Sequence, residues 1–305
     1  MSKPPVHPSK SKPVRFSYST SDQPALQRAV IQAIEKMGGQ RKLKKLYFQH
    51  QKSVAGGENF FDAAIRLLKL DVIYDEAELA LTPKTGPVLF IANHPYGVMD
   101  GITLTWLATK VRADTKVLAN DVLCQAPGAA GNLLPVAFAP TREARETNVS
   151  SRLAAQSWLR DGHAVGIFPG GGVATSEKPL KGQADLPWAP FTAKLLRMSK
   201  ATVIPIFFTG QNSRLFQLAS HLSLTLRLSL VFRETTRRIG SGLNVRIGRP
   251  VPFDEIAHIE DRNELVMELR KRTYDLAKAE DIKGTRTGLH LREAKIKGGK
   301  PRDVV

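Results

Sequence analysis

Residues 91–101 read IANHPYGVMDG. The apolar run that opens this stretch begins at Val88 and ends at Asn93, a turn holds His94, Pro95 and Gly97, and a helix is expected to start near Asp100. A strand, a tight turn and a helix in that order form the repeating piece of an α/β layer. His94 and Asp100 sit across the one turn, so the carboxylate can reach one imidazole nitrogen, fix the tautomer and leave the other nitrogen as a base. The same pair also reads as a turn-capping histidine beside an ordinary helix N-cap. Its position favours chemistry, because sites in α/β sheets gather beyond the carboxyl ends of the strands.

Further runs of the same kind lie on either side. Short β-type runs bounded by turn residues occur at Val88–Ala92, Lys116–Asn120, Ala164–Phe168, Val203–Phe208 and Leu243–Ile247. Most have a helical pattern between them, as around Leu153 and Trp158 before Gly162. The expected fold class is therefore α/β, with a mixed, largely parallel sheet flanked by helices. Residues ~20 to ~75 hold little strand signal; Phe61, Ala64, Ile65 and Leu68 fall at helical spacing, so a helical segment is expected to precede the sheet.

A second informative stretch is GIFPGGGVATS, residues 166–176, where a strand runs into Phe168, Pro169 and three glycines, Gly170, Gly171 and Gly172. Glycine lets the backbone approach a ligand closely, and the exposed amides can cradle a phosphate or an oxyanion; a flexible loop is the other reading. No Gly-Lys-Ser/Thr follows, so this is not a Walker loop. There is no G-x-S-x-G elbow to supply a serine nucleophile. The single cysteine, Cys124, excludes an intrachain disulfide, and no histidine pairs with it in sequence, so a buried thiol is expected. His50, His163, His221 and His258 lack metal-ligand spacing, and no metal is expected.

The three blocks NHPYGVMDG, FPGGG and VIPIFF, in this order and over roughly residues 40–255, resemble the glycerolipid (lysophospholipid) acyltransferase superfamily, in its hemolysin-like and ornithine-lipid-acyltransferase-like bacterial branch. The resemblance implies an acyl transfer without cofactor or metal, from acyl-CoA or acyl-carrier protein as co-substrate to a lysolipid hydroxyl. His94 then matches the catalytic base and Asp100 its partner, with five residues between them as in the hemolysin-like branch. Asn93, Pro95 and Gly97 flank the pair. Phe168, Pro169 and Gly171 match the acceptor-binding motif of the superfamily, while Gly170 stands where many members carry glutamate. Pro205 matches the short proline motif, and Arg142 in PVAFAPTRE approximates the arginine motif.

Lysine and arginine number 45 against 28 acidic residues, a net charge of +17. Such an excess calls for an anionic partner. The expected organisation is a basic disordered arm over 1–19, a helical segment over 20–80, the acyltransferase domain over 81–280 and a basic mobile tail over 281–305. The longest apolar runs are far below the ~20 residues that span a bilayer, and no signal peptide is visible. Leu215, Leu218, Leu222, Leu226 and Leu230 form a stripe at helical spacing with arginines nearby, suited to an anionic membrane surface or to the core; Leu222 to Leu230 also alternate as a strand would. The expected location is cytoplasmic, peripheral on the inner face of the cell membrane. The rival readings are a catalytically idle lipid-binding protein and a non-specific nucleic-acid binder, the latter disfavoured by the lack of any nucleic-acid-binding motif.

Overall fold

The computed structural model describes residues 24–124, 127–138, 141–176, 183–222, 224–278 and 285–286. Ten strands are present among them: β1 (Asp71–Tyr74), β2 (Val88–Ala92), β3 (Lys116–Asn120), β4 (Leu133–Val136), β5 (Ala164–Ile167), β6 (Thr175–Ser176), β7 (Gln183–Ala184), β8 (Thr202–Phe208), β9 (Gly242–Ile247) and β10 (Thr285–Arg286). Eight of them form one sheet in the order β10-β1-β9-β8-β2-β5-β3-β4, and β6 pairs with β7 alone. The β8–β9 and β1–β10 pairings are antiparallel, and the other pairings in the large sheet are parallel.

Both faces of the sheet are covered, which explains the continuous apolar run of β2. Val88, Phe90 and Ala92 enter one core cluster, Leu89 and Ile91 the other, and all five are fully buried. A strand covered on both sides loses the polar alternation of a half-exposed one. The helices are α1 (Ala25–Met37), α2 (Gln40–Ala55), α3 (Phe60–Leu67), α4 (Glu76–Ala80), α5 (Val98–Val111), α6 (Asp121–Cys124), α7 (Arg142–Arg160), α8 (Phe191–Ser199), α9 (Arg214–Leu222), α10 (Leu224–Arg237), α11 (Phe253–Ile256) and α12 (Arg262–Asp275). Helices α3 and α5 supply the first cluster with Phe61, Ile65, Met99 and Leu104. Helices α7, α8 and α12 supply the second with Leu159, Leu196, Leu265 and Leu269. Each fully buried side chain of this size contributes roughly 1.5–3 kcal/mol.

The expected α/β fold and its preceding helices are present, with local differences. Strand β1 lies inside the 20–80 segment read as helical, because its four residues take their order from pairing with β9 rather than from local pattern. Strand β4 was also absent from that reading; it forms beside β3, with Val117 opposite Leu133. The leucine stripe is two helices, α9 and α10, and not a strand. Leu215, Leu218 and Leu222 are exposed on α9, whereas Leu230 is buried on α10. Within the expected mobile tail, Thr285–Arg286 pair with β1. The arm over 1–19 and the rest of the tail lie outside the described residues.

Candidate active site

The chain leaves β2 into the turn that carries His94, and Asn93 sets the exit. Its side chain behaves as a strand residue would, donating from Nδ2 to the Phe208 carbonyl (2.9 Å) and accepting at Oδ1 from the Phe208 N–H (2.7 Å). The β2–β8 ladder is thereby prolonged past Ala92 and Ile206. Asn93 is buried and its amide is fully engaged, so it shapes the turn and does not face the cavity. Gly97 adopts a φ of +80°, a conformation open to glycine at little cost. Tyr96 donates its hydroxyl to the Thr209 carbonyl (2.6 Å), and the Arg238 guanidinium lies 3.5 Å over its ring.

Asp100, at the third position of α5, is fully buried, and its Oδ2 accepts from the backbone N–H groups of Tyr96 (2.7 Å) and Gly97 (2.9 Å). The same oxygen stands 3.1 Å from His94 Nδ1. One carboxylate thus caps the helix and stands within ion-pair distance of the imidazole, whose buried Nδ1 has no other partner among the described residues. The His94 ring stacks on Phe168, with centroids 4.0 Å apart. With Nδ1 turned to Asp100 and one face covered by Phe168, the ring presents Nε2 as its working edge.

The glycine loop is tied to the same turn. The Ala174 N–H donates to the His94 carbonyl (2.7 Å), and the Gly171 N–H to the Phe168 carbonyl (2.9 Å). Asp185, after β7, accepts the His94 N–H at Oδ1 (3.0 Å) and the Trp188 indole N–H at Oδ2 (2.9 Å). Its own N–H donates to the Tyr274 hydroxyl (2.9 Å). Burial pushes the Asp185 carboxyl above its usual value, against the opposing pull of those hydrogen bonds. A Cβ on Gly170 would stand 3.0 Å from Asp185 Cβ, so the position where many superfamily members carry glutamate is here packed against another carboxylate.

His94, Gly97 and the Phe168 to Gly172 loop open onto a cavity of about 710 Å³. Most of its wall is apolar, and part of it comes from helices before the sheet: Leu43, Leu46, Tyr47 and His50 of α2, and Phe60, Phe61 and Ala64 of α3. His50 is held there by Nε2 against the Phe60 carbonyl (2.7 Å). Arg227 of α10 reaches the cavity beside the glycine loop, hydrogen-bonding the Val173 carbonyl. Burial pushes its guanidinium below the usual value.

Of the residues singled out in the sequence, the fold brings together His94, Asp100, Gly97, Phe168, Pro169, Gly170, Gly171 and Gly172. Pro95 is buried in the turn. Two residues lie elsewhere. Pro205 is inside the sheet opposite Ile91, and Gly248 donates to its carbonyl. Arg142 is exposed at the start of α7 and pairs with Glu146 (2.8 Å), while Arg152 on the same helix does line the cavity. Asp185 and Arg227 were not singled out as site residues, since each is delivered by tertiary contact. The α2 wall had a legible signal, Leu43, Leu46, Tyr47 and His50 at helical spacing. Cys124 is not part of the cavity wall, and burial pushes its thiol up to about 12, which keeps it protonated. Among the described residues no group of His, Cys, Asp or Glu could hold a metal ion, and no helix is long and apolar enough to cross a membrane.

Two lyso-glycine lipid O-acyltransferases, from Phocaeicola vulgatus and Bacteroides thetaiotaomicron, are each 23% identical to this chain over 205 residues, covering 65% of it and 70% and 72% of their own lengths. The crystal structure of the 1-acyl-sn-glycerophosphate acyltransferase from Thermotoga maritima aligns with a TM-score of 0.44 and 17% identity, over 86% of this chain and 85% of that one. The acyltransferase family model matches residues 54–283, a span that runs from the end of α2 past α12 and takes in the His94 turn, Asp100, the glycine loop and Arg227, but not the α2 residues of the cavity wall. The chain belongs to the acyltransferase family, within the glycerolipid acyltransferase superfamily, and is an O-acyltransferase.

Proposed function

We propose that this O-acyltransferase moves a fatty acyl group from the thioester of acyl-CoA or acyl-carrier protein to the hydroxyl of a lysolipid at an anionic membrane surface on the cytoplasmic side. The observation that carries the reading is the His94–Asp100 pair, with His94 lining a largely apolar cavity. In the reaction, His94 Nε2 takes the proton of the acceptor hydroxyl while the hydroxyl oxygen attacks the thioester carbonyl. The tetrahedral intermediate collapses with cleavage of the carbon–sulfur bond, and the departing thiolate takes the proton back from His94. Asp100 holds the imidazole in one tautomer and stabilises its charged form. The Phe168 to Gly172 loop lies beside the pair, and its backbone N–H groups other than that of Gly171, which is spent on the Phe168 carbonyl, would serve the oxyanion or the acceptor's head group. The cavity volume lies within the ~300–1,000 Å³ typical of small-molecule sites, and its apolar wall suits an acyl chain.

An amino-acid lysolipid is favoured over lysophosphatidate as acceptor. Gly170 replaces the superfamily's usual glutamate, and the two curated relatives are named for a lyso-glycine lipid. Binding to the membrane is supported by the exposed Leu215, Leu218 and Leu222 on α9 and by the +17 charge. The test is acyl transfer on liposomes with both donors against a panel of lysolipids. His94→Ala is expected to cut turnover by about 10²–10⁴-fold with the fold intact. Equal activity of the two proteins, or no transfer by wild type to any lysolipid, would remove the catalytic reading.

A further inference from the structure

Arg227 is a cation without an obvious structural employer. Arg233 and Arg237, further along the same helix, pair with Glu234 at 3.1 and 3.8 Å. Among the described residues Arg227 instead makes one hydrogen bond, to the Val173 carbonyl, and no carboxylate stands within ion-pair distance of it. A guanidinium carries five N–H donors, so most of its capacity is unspent. The location is specific: a Cβ on Gly172 would lie 3.5 Å from Nη2, which puts the fork against the glycine loop that Ala174 ties to His94. Arg227, Val231 and Thr235 recur at four-residue spacing along α10, and all three line the cavity. The other arginine in the cavity wall, Arg152, is exposed and lies 5.3 Å over the Phe191 ring.

A half-buried cation with no counter-charge among the described residues is costly to keep, and the planar fork matches a carboxylate one to one through two parallel hydrogen bonds. A dianionic phosphate monoester would leave one charge unanswered beside a single guanidinium. We propose that Arg227 is the head-group residue of the acceptor site, binding the free carboxylate of a lysolipid built on an N-acylated amino acid so that its hydroxyl is presented to His94. The proposal rests on the acyl-acceptor reading above and adds the residue that selects the acceptor. A site built around such a fork rejects an acceptor whose carboxylate is masked, since the buried donors would then be left unpaired.

The experiment separates binding from turnover by working in a His94→Ala background. The probes are an N-(β-hydroxyacyl)glycine, its methyl ester and lysophosphatidate of the same chain length, each titrated in detergent by calorimetry. With Arg227 present, the free acid is expected to bind about 10-fold or more tighter than the ester, the scale of a charge-assisted pair. Arg227→Gln should collapse that ratio to near one, and Arg227→Lys should retain part of it. Circular dichroism and melting curves for each variant establish that it is folded. Equal binding of acid and ester with Arg227 present, or an equal loss for both in a folded Arg227→Gln, overturns the proposal. Tighter binding of lysophosphatidate than of the free acid overturns the carboxylate assignment. Failure of the wild type to transfer an acyl group to any acceptor would instead overturn the enzymatic reading and leave the binding ratio standing on its own.

Discussion

Gly210 shows how narrowly the catalytic turn is supported. Its φ is +108°, and a Cβ there would stand 1.8 Å from the Tyr96 hydroxyl and 3.1 Å from the ring carbon that bears it. Tyr96 uses that hydroxyl to hold the Thr209 carbonyl, while its backbone N–H holds Asp100. Gly210→Ala should therefore move the tyrosine and cost about 1–3 kcal/mol from strain and overpacking. Tyr96→Phe removes the atom that clashes most, so the double variant should be less destabilised than the sum of the two singles. A denaturant double-mutant cycle reads this coupling, and strict additivity would show that the turn does not depend on the contact. The His94–Asp100 pair was legible in the sequence because its members lie six positions apart. Tyr96 and Gly210 were not legible, because the contact joins residues far apart in the chain.

At the scale of elements, the loop after β7 does what its local pattern does not announce. Asp185 fastens the His94 backbone, the Trp188 indole and the Tyr274 hydroxyl into one arrangement. Its pKa is raised above the usual 3.8, so between that value and the raised one the folded state holds more protons than the unfolded state. Stability then falls as pH rises through this window, since the unfolded chain binds fewer protons there. Asp185→Asn loses this dependence and also turns an amide N–H against either the His94 or the Trp188 donor. It should be less stable than wild type by about 1–3 kcal/mol in acid, with the gap narrowing as pH climbs through the window. Melting curves at a series of pH values check this, and a widening gap would contradict it.

For the whole molecule, the helices before the sheet matter most. They read as a prelude, yet α2 and α3 supply part of the apolar wall of the cavity that His94 faces. Ala119 of β3, which also lines that cavity, is buried and small. Ala119→Phe should fill part of the volume and shift acyl preference towards shorter chains by several carbons. Competition between donors of different chain length would show it, and an unchanged profile would mean that the chain lies elsewhere.

The sequence by itself determined the strand–turn–helix units, the fold class, the His94–Asp100 pair and the glycine loop. Each of these depends on neighbours in the chain, on backbone freedom and on apolar runs that two covering layers demand. Only the tertiary structure decided the rest. Asn93 became a clamp on Phe208, Asp185 an anchor for His94, Arg227 a fork beside the glycine loop, and Arg142 and Pro205 fell outside the cavity. These outcomes follow from which strands lie side by side and which helix covers them. A carboxylate or guanidinium carries no local mark of the partner it will meet across the sheet.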